Sequence, residues 1–219
     1  MPVIQWISWL ALSIFGAAAI ISLRSFRNNF PADLKWLSLL WVGLFIIDVG
    51  GSILKVRHIN NLWVYNIFGW LFYLPLAALY YKKIDHSFIR KCIKVFAILF
   101  MMMIVADTLF IEGFWQLQSL VIVIGGIAII ILAAAYLRQL YLSESNENIT
   151  RDPWFWFSIA FIVYFGASVP YLGMLNYMWE HYTDFAAIYY FYIYITFTMV
   201  MHCLIITGFL CRTNFQKSS

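Results

Sequence analysis

Residues 114–142 read FWQLQSLVIVIGGIAIIILAAAYLRQLYL, a stretch in which Arg138 is the only charged side chain. About 20 consecutive apolar residues suffice for a helix to cross the hydrocarbon core of a bilayer. This run exceeds that length, and it is too long and too continuous for a barrel strand, which would alternate apolar and polar residues over about ten positions. A helix is therefore expected, because a span in lipid must satisfy its own backbone hydrogen bonds. Gly125-Gly126 and Ala133–Ala135 give it a smooth surface for close packing against other helices.

The rest of the chain repeats the pattern. Of the 219 residues, 64% are apolar and only 11% are charged. A water-soluble domain carries about 25% charged residues, so this chain is expected to be an integral membrane protein. The same composition excludes a disordered tail and a nucleic-acid binder despite the net charge of +4. Seven apolar runs are separated by charged or turn-forming clusters: Val3–Leu23, Leu34–Leu54, Leu62–Tyr81, Cys92–Ile111, Phe114–Leu142, Trp154–Leu175 and Ala186–Cys211. The expected fold is an all-α, seven-transmembrane-helix bundle forming a single domain over 1–219, with no soluble domain. No internal repeat aligns the two halves of the chain.

Basic residues in short connections set orientation. Arg24, Arg27 and Lys35 flank the first connection, and Lys82, Lys83, Arg90, Lys91 and Lys94 the third. Arg138 and Arg151 flank the fifth, and Arg212 and Lys217 lie in the tail. Only Lys55 and Arg57 fall on the other side, so twelve of the 14 Lys and Arg share one side. The amino terminus is expected outside and the carboxyl terminus in the cytoplasm, in a bacterial cytoplasmic (inner) membrane. Met1–Gln5 lacks the basic residues of a signal peptide, so the first span is expected to be retained. Asn148-Ile149-Thr150 matches a glycosylation pattern but falls on the cytoplasmic side of this topology. Asp152-Pro153 reads as a cap and first residue for span six. Trp6, Trp63, Trp115 and Trp179 are expected at the outer boundary, and Trp36, Trp154 and Trp156 at the inner one.

Ionisable residues inside spans are costly and usually functional. Asp48, Asp107 and His202 qualify. At about 1.5 Å per residue, the two aspartates lie roughly 21 and 22 Å from the inner face, at similar depth. Their contact stays open, because spans two and four need not be neighbours. Asn66, Thr108, Glu112, Gln116, Gln118, Ser168, Tyr171, Tyr190 and Tyr194 fall toward the same side. Facing inward, Asp48, Asn66, Asp107, Gln116, Tyr171, Tyr190 and Tyr194 would line an outward-open polar-aromatic pocket for a small cationic or hydrogen-bonding ligand. Each aspartate could equally be a hydrogen-bonded helix contact. Tyr190, Tyr194, Thr198 and His202 recur every four residues, which makes Thr198 and His202 either a relay or polar helix contacts. Asn66, Trp70, Tyr73 and Tyr80 mark an aromatic-polar face on span three, and Pro75 and Pro170 are expected to kink their spans.

Several chemistries lack their residues. The last span has no Lys for a retinal Schiff base, and the four His are scattered on both sides, so no metal site is expected. Three Cys cannot build a disulfide framework. No Ser, His and acid grouping points to hydrolysis. Neither enzyme activity nor a cofactor is expected.

Asp152-Pro153-Trp154-Phe155-Trp156 with Tyr164-Phe165-Gly166-Ala167-Ser168 resembles the opening of the sixth helix in seven-helix membrane modules of bacterial sensor proteins. Such modules often precede a histidine kinase domain. No output domain follows Cys211 here, so the resemblance implies a stand-alone receptor-like module that signals through a cytoplasmic or membrane partner. It implies no particular ligand residues. A small proton- or cation-coupled transporter using the two aspartates, and a structural subunit of a membrane complex, are the alternatives. Lipid is the partner common to all three.

Overall fold

Among the described residues each apolar run contains a long helix, and the boundaries are set by identifiable breaks. A computed structural model describes residues 2–27, 30–143, 149–184, 188 and 190–217. Helix α1 is Pro2–Arg27, α2 Ala32–Val56, α3 Leu62–Lys83 and α4 Ser87–Ala106, the last continuing as a π-helical turn over Asp107–Ile111. Helix α5 is Ser119–Leu142, α6 Pro153–Gly173, α7 the short Leu175–His181, and α8 Ile195–Lys217. A second π-helical turn, Tyr190–Tyr194, leads into α8. No strand occurs among the described residues, and seven helices are long and apolar enough to cross a membrane.

Helix α1 runs on to Arg27 past Leu23, α4 starts at Ser87 before Cys92, and α8 runs on to Lys217 past Cys211; two further differences from the sequence expectation bear on the site. The fifth span begins at Ser119 rather than Phe114, because Gly113 takes φ +81° and Asn66 captures the carbonyls of Phe114 and Gln116 at 2.9 and 2.7 Å. The sixth stops at Gly173, and Leu175 opens the separate α7. The predicted start of span seven at Ala186 lies outside the described residues. At α6, Asp152 caps as the sequence implied. Its Oδ1 accepts from the Trp154 amide at 2.8 Å, with Pro153 in the first turn, where its missing N–H costs nothing.

Packing makes a closed ring in the order α1, α2, α3, α5, α6, α8 and back to α1, while α4 packs against α3 and α5. Glycines allow the closest approaches. A Cβ on Gly125 would sit 2.7 Å from the Tyr73 ring, one on Gly126 2.4 Å from Val169, and one on Gly208 2.4 Å from Phe157. The middle of the ring is filled by aromatic side chains. Phe15 of α1, Trp41 of α2, Phe72 of α3 and Phe161 and Phe165 of α6 meet with centroids about 6 Å apart, all of them buried. His202 of α8 closes the layer, stacked 4.1 Å from Phe15 and edge-on to Trp41 at 5.7 Å.

At the end that carries the α3–α4 connection, polar groups are tightly paired. Lys83 Nζ lies 2.7 Å from Asp33 Oδ2, which also accepts from Trp154 Nε1 at 2.8 Å. Tyr136 donates to Asp152 Oδ2 at 2.6 Å, and Tyr80 shares a 3.0 Å hydrogen bond with Ser158. Trp154, at the start of α6, does not face outward: its indole N–H donates to Asp33, and the residue is 1% exposed. Trp6, Trp36 and Trp115 are exposed, while the side chain of Trp179 lies outside the described part.

Candidate functional site

The sequence-predicted residues fall into two groups rather than one pocket. The first is built at the opposite end of the bundle from the Asp33–Lys83 pair, where α3, α4 and α5 meet the connection 112–118. Asn66 is the strut. Its amide donates to the two carbonyls already named, and its Oδ1 accepts from the Gln118 amide at 3.0 Å. Gln118, 1% exposed, then donates from Nε2 to Thr108 Oγ1 at 2.7 Å and accepts from Trp70 Nε1 at 2.8 Å. Gln116, expected as a ligand residue, contributes only its carbonyl, and its side chain is exposed. The inward amide belongs to Gln118. Residues two apart do not share a helix face, so only one of the two glutamines could be expected to turn inward.

Glu112 sits at the end of the π-helical turn and is well held. Its carboxylate accepts from the Ser119 hydroxyl, from the Leu120 amide at 3.2 Å and from Asn176 Nδ2 at 3.1 Å. Asn176 also donates to the Leu117 carbonyl at 3.0 Å, which ties α7 to the cluster. Nothing in the sequence singled out Asn176, which fell just past the expected end of span six at Leu175.

Asp107 differs from every other acid in the cluster. Its side chain is completely buried, at 0% exposure, and neither carboxyl oxygen meets a donor at good hydrogen-bond geometry. The one residue that acts on it, through its carboxyl charge and its own hydrogen-bonding groups, is Glu112. The π-helical turn explains the juxtaposition: the amides of Glu112 and Gly113 both donate to the Asp107 carbonyl, so residue 112 stacks over residue 107. Such turns are rare and occur preferentially at functional positions. Chemically, two neighbouring carboxyl groups, a hydroxyl and an amide make an acceptor-rich site whose mutual repulsion a cation or an ammonium group relieves.

The second group surrounds Tyr164. Its hydroxyl is 3.3 Å from that of Tyr194, whose ring lies 6.0 Å from Tyr171, and the Ser168 hydroxyl donates to the Tyr164 carbonyl at 2.6 Å. Asp48, half-buried on α2, is near enough for its charge to act on the Tyr164 phenol. Asp48 and Asp107 thus belong to different groups, since α2 packs on α1 and α3 whereas α4 packs on α3 and α5. The side chain of Tyr190 lies outside the described part. Thr198 donates to the Tyr194 carbonyl of its own helix at 2.8 Å, and His202 lies within the aromatic layer, where its Nδ1 and Trp41 Nε1 lack hydrogen-bond partners. The π-helical turn at Tyr190–Tyr194 changes the four-residue spacing on which the stripe was read.

Neither of two measurable cavities coincides with these groups. One, of about 440 Å³, lies along apolar faces of α2 and α3, and the other, of about 320 Å³, is formed by residues from His181 to Asp184. The polar residues of the Asp107 cluster are instead closed over one another by the connection 112–118. Among the described residues, no group of three or more His, Cys, Asp or Glu could hold a metal ion. No family model matches the chain, and the searches of curated proteins and of solved structures likewise give no match.

Proposed function

We propose that the chain is a receptor-like membrane protein that takes a small cationic or hydrogen-bonding ligand at the Asp107 cluster, from the outer side of a bacterial cytoplasmic membrane, and signals through a partner. The observation that carries this reading is the fully buried Asp107 carboxyl group, which has no well-formed hydrogen bond and whose one neighbour of note is another acid, Glu112. Leaving a buried polar group unpaired costs about 1–3 kcal/mol, and more when it is charged. An ionisable group kept at that cost inside a membrane protein is by default a functional group.

The surroundings fit reception better than transport. The connection 112–118 roofs the cluster and is held by side-chain hydrogen bonds of Asn66, Glu112 and Asn176 rather than by a helical ladder. A ligand ammonium meeting Asp107 would favour one arrangement of that roof, the differential interaction that any switch requires. Inside the ring, the layer of Phe15, Trp41, Phe72 and Phe161 is aromatic and offers no continuous polar route. A coupled transporter is favoured only by His202, the one ionisable group within that layer.

The test is ligand-dependent thermal stabilisation of the purified protein, screened with primary and quaternary amines and with monovalent and divalent cations. The wild type, Asp107→Asn and Asp48→Asn are compared. A compound that stabilises the wild type and Asp48→Asn but not Asp107→Asn is the expected result. A compound acting equally on all three proteins overturns the assignment to Asp107. Proton- or cation-driven uptake into proteoliposomes that is lost in His202→Phe would replace reception by transport.

A further inference from the structure

The 440 Å³ groove lies on the outer surface of the ring, away from the Asp107 cluster, and its chemistry changes along its length. On α2 it is lined by Trp36, Leu40, Gly43 and Ile47, spaced four, three and four residues apart and therefore on one helix face. On α3 it is lined by apolar residues around Pro75 and ends at Lys82. Gly43 leaves its floor open: a Cβ there would meet no atom within 4 Å. Pro75 has no N–H to complete the helical ladder and displaces the preceding turn, which favours a bend in α3 at this level.

The dimensions and the charge point to one occupant. Trp36 to Ile47 spans about 16 Å at 1.5 Å per residue. That is about half of a hydrocarbon core roughly 30 Å thick, the depth of a single leaflet. The single cation lies at the end of the groove nearest the helix terminus, where phospholipid headgroups lie. Adjacent lysines have different fates. Lys83 turns inward to Asp33 at 2.7 Å, whereas Lys82 is exposed and joins no ion pair among the described residues. We propose that this groove binds an anionic phospholipid, one acyl chain lying over Gly43 and beside Pro75 and the phosphate meeting Lys82. An apolar helix from another chain fits less well, since it would bury the Lys82 ammonium without a partner.

The experiment is native mass spectrometry of the detergent-purified protein with dioleoyl phosphatidylglycerol or dioleoyl phosphatidylethanolamine, lipids of equal chains but different headgroup charge. The wild type is expected to retain the anionic lipid about 5-fold better, the preference that one lysine near a charged lipid surface provides. Lys82→Gln should make the two lipids equal, and Gly43→Leu should reduce the retention of both by filling the groove. Lys82 is on the surface, so that variant keeps the test decisive even if Gly43→Leu folds poorly. Equal retention of the two lipids by the wild type overturns the proposal. So does a dimer that Gly43→Leu dissociates, which would make a second copy the occupant.

Discussion

The two ends of the bundle use similar residues to opposite effect. At one end, Asp33 is met by Lys83 and by the Trp154 indole, and Asp152 is met by Tyr136 and by the first turn of α6. At the other, Glu112 is met by three donors while Asp107, more fully buried, has no well-formed hydrogen bond and only Glu112 beside it. A buried acid with its donors in place is a fastener between helices. A buried acid without them lowers stability, and its retention calls for something other than folding. The contrast separates the fasteners Asp33, Asp152 and Glu112 from Asp107, although all four are carboxylates near helix ends.

Substitutions can break or sharpen this contrast. The largest loss is expected for Asn66→Ala, which removes three hydrogen bonds from the connection 112–118, about 3 kcal/mol at about 1 kcal/mol each. Hydrogen exchange of residues 114–118 should accelerate while that of α6 is unchanged. Asp33→Ala strands Lys83 and the Trp154 N–H, and equilibrium unfolding in mixed micelles should register a loss of about 2 kcal/mol, below the value for fully buried pairs because Lys83 is 30% exposed. Asp152→Ala removes a helix cap and the Tyr136 partner, with an expected loss of about 1 kcal/mol in the same assay. The smallest effect on stability is expected for Asp107→Asn. It has no well-formed hydrogen bond to lose, and its new amide can donate toward the Glu112 carboxylate that the acid repels.

Much of the fold could be read in the chain because lipid imposes one simple demand, long apolar helices, and residues such as those of 119–142 meet it without ambiguity. Asp152-Pro153 could be read for the same reason, as a local cap within three residues. What escaped was non-local or depended on a departure from regular geometry. Asp33 meets Trp154 across 121 positions, a contact set by how the ring closes rather than by spacing. Stacking Glu112 over Asp107 needs the wider π-helical turn, whereas periodicity arguments assume 3.6 residues per turn. The likeness in depth of Asp48 and Asp107 was legible, but the helix order placed them in separate groups. Gln116 and Gln118 were both legible as polar groups on this side, but which one turns inward was not, because Gly113 breaks the helix and Asn66 holds the connection apart from α5.

The central claim is that Asp107 is held for a ligand and not for the fold. The most direct measurement is the unfolding midpoint of Asp107→Asn beside those of the wild type and Asp33→Ala, without ligand and in one detergent. The account predicts that Asp107→Asn melts at or above the wild-type Tm while Asp33→Ala melts clearly below it. A drop for Asp107→Asn as large as that for Asp33→Ala would contradict the claim and make Asp107 one more fastener.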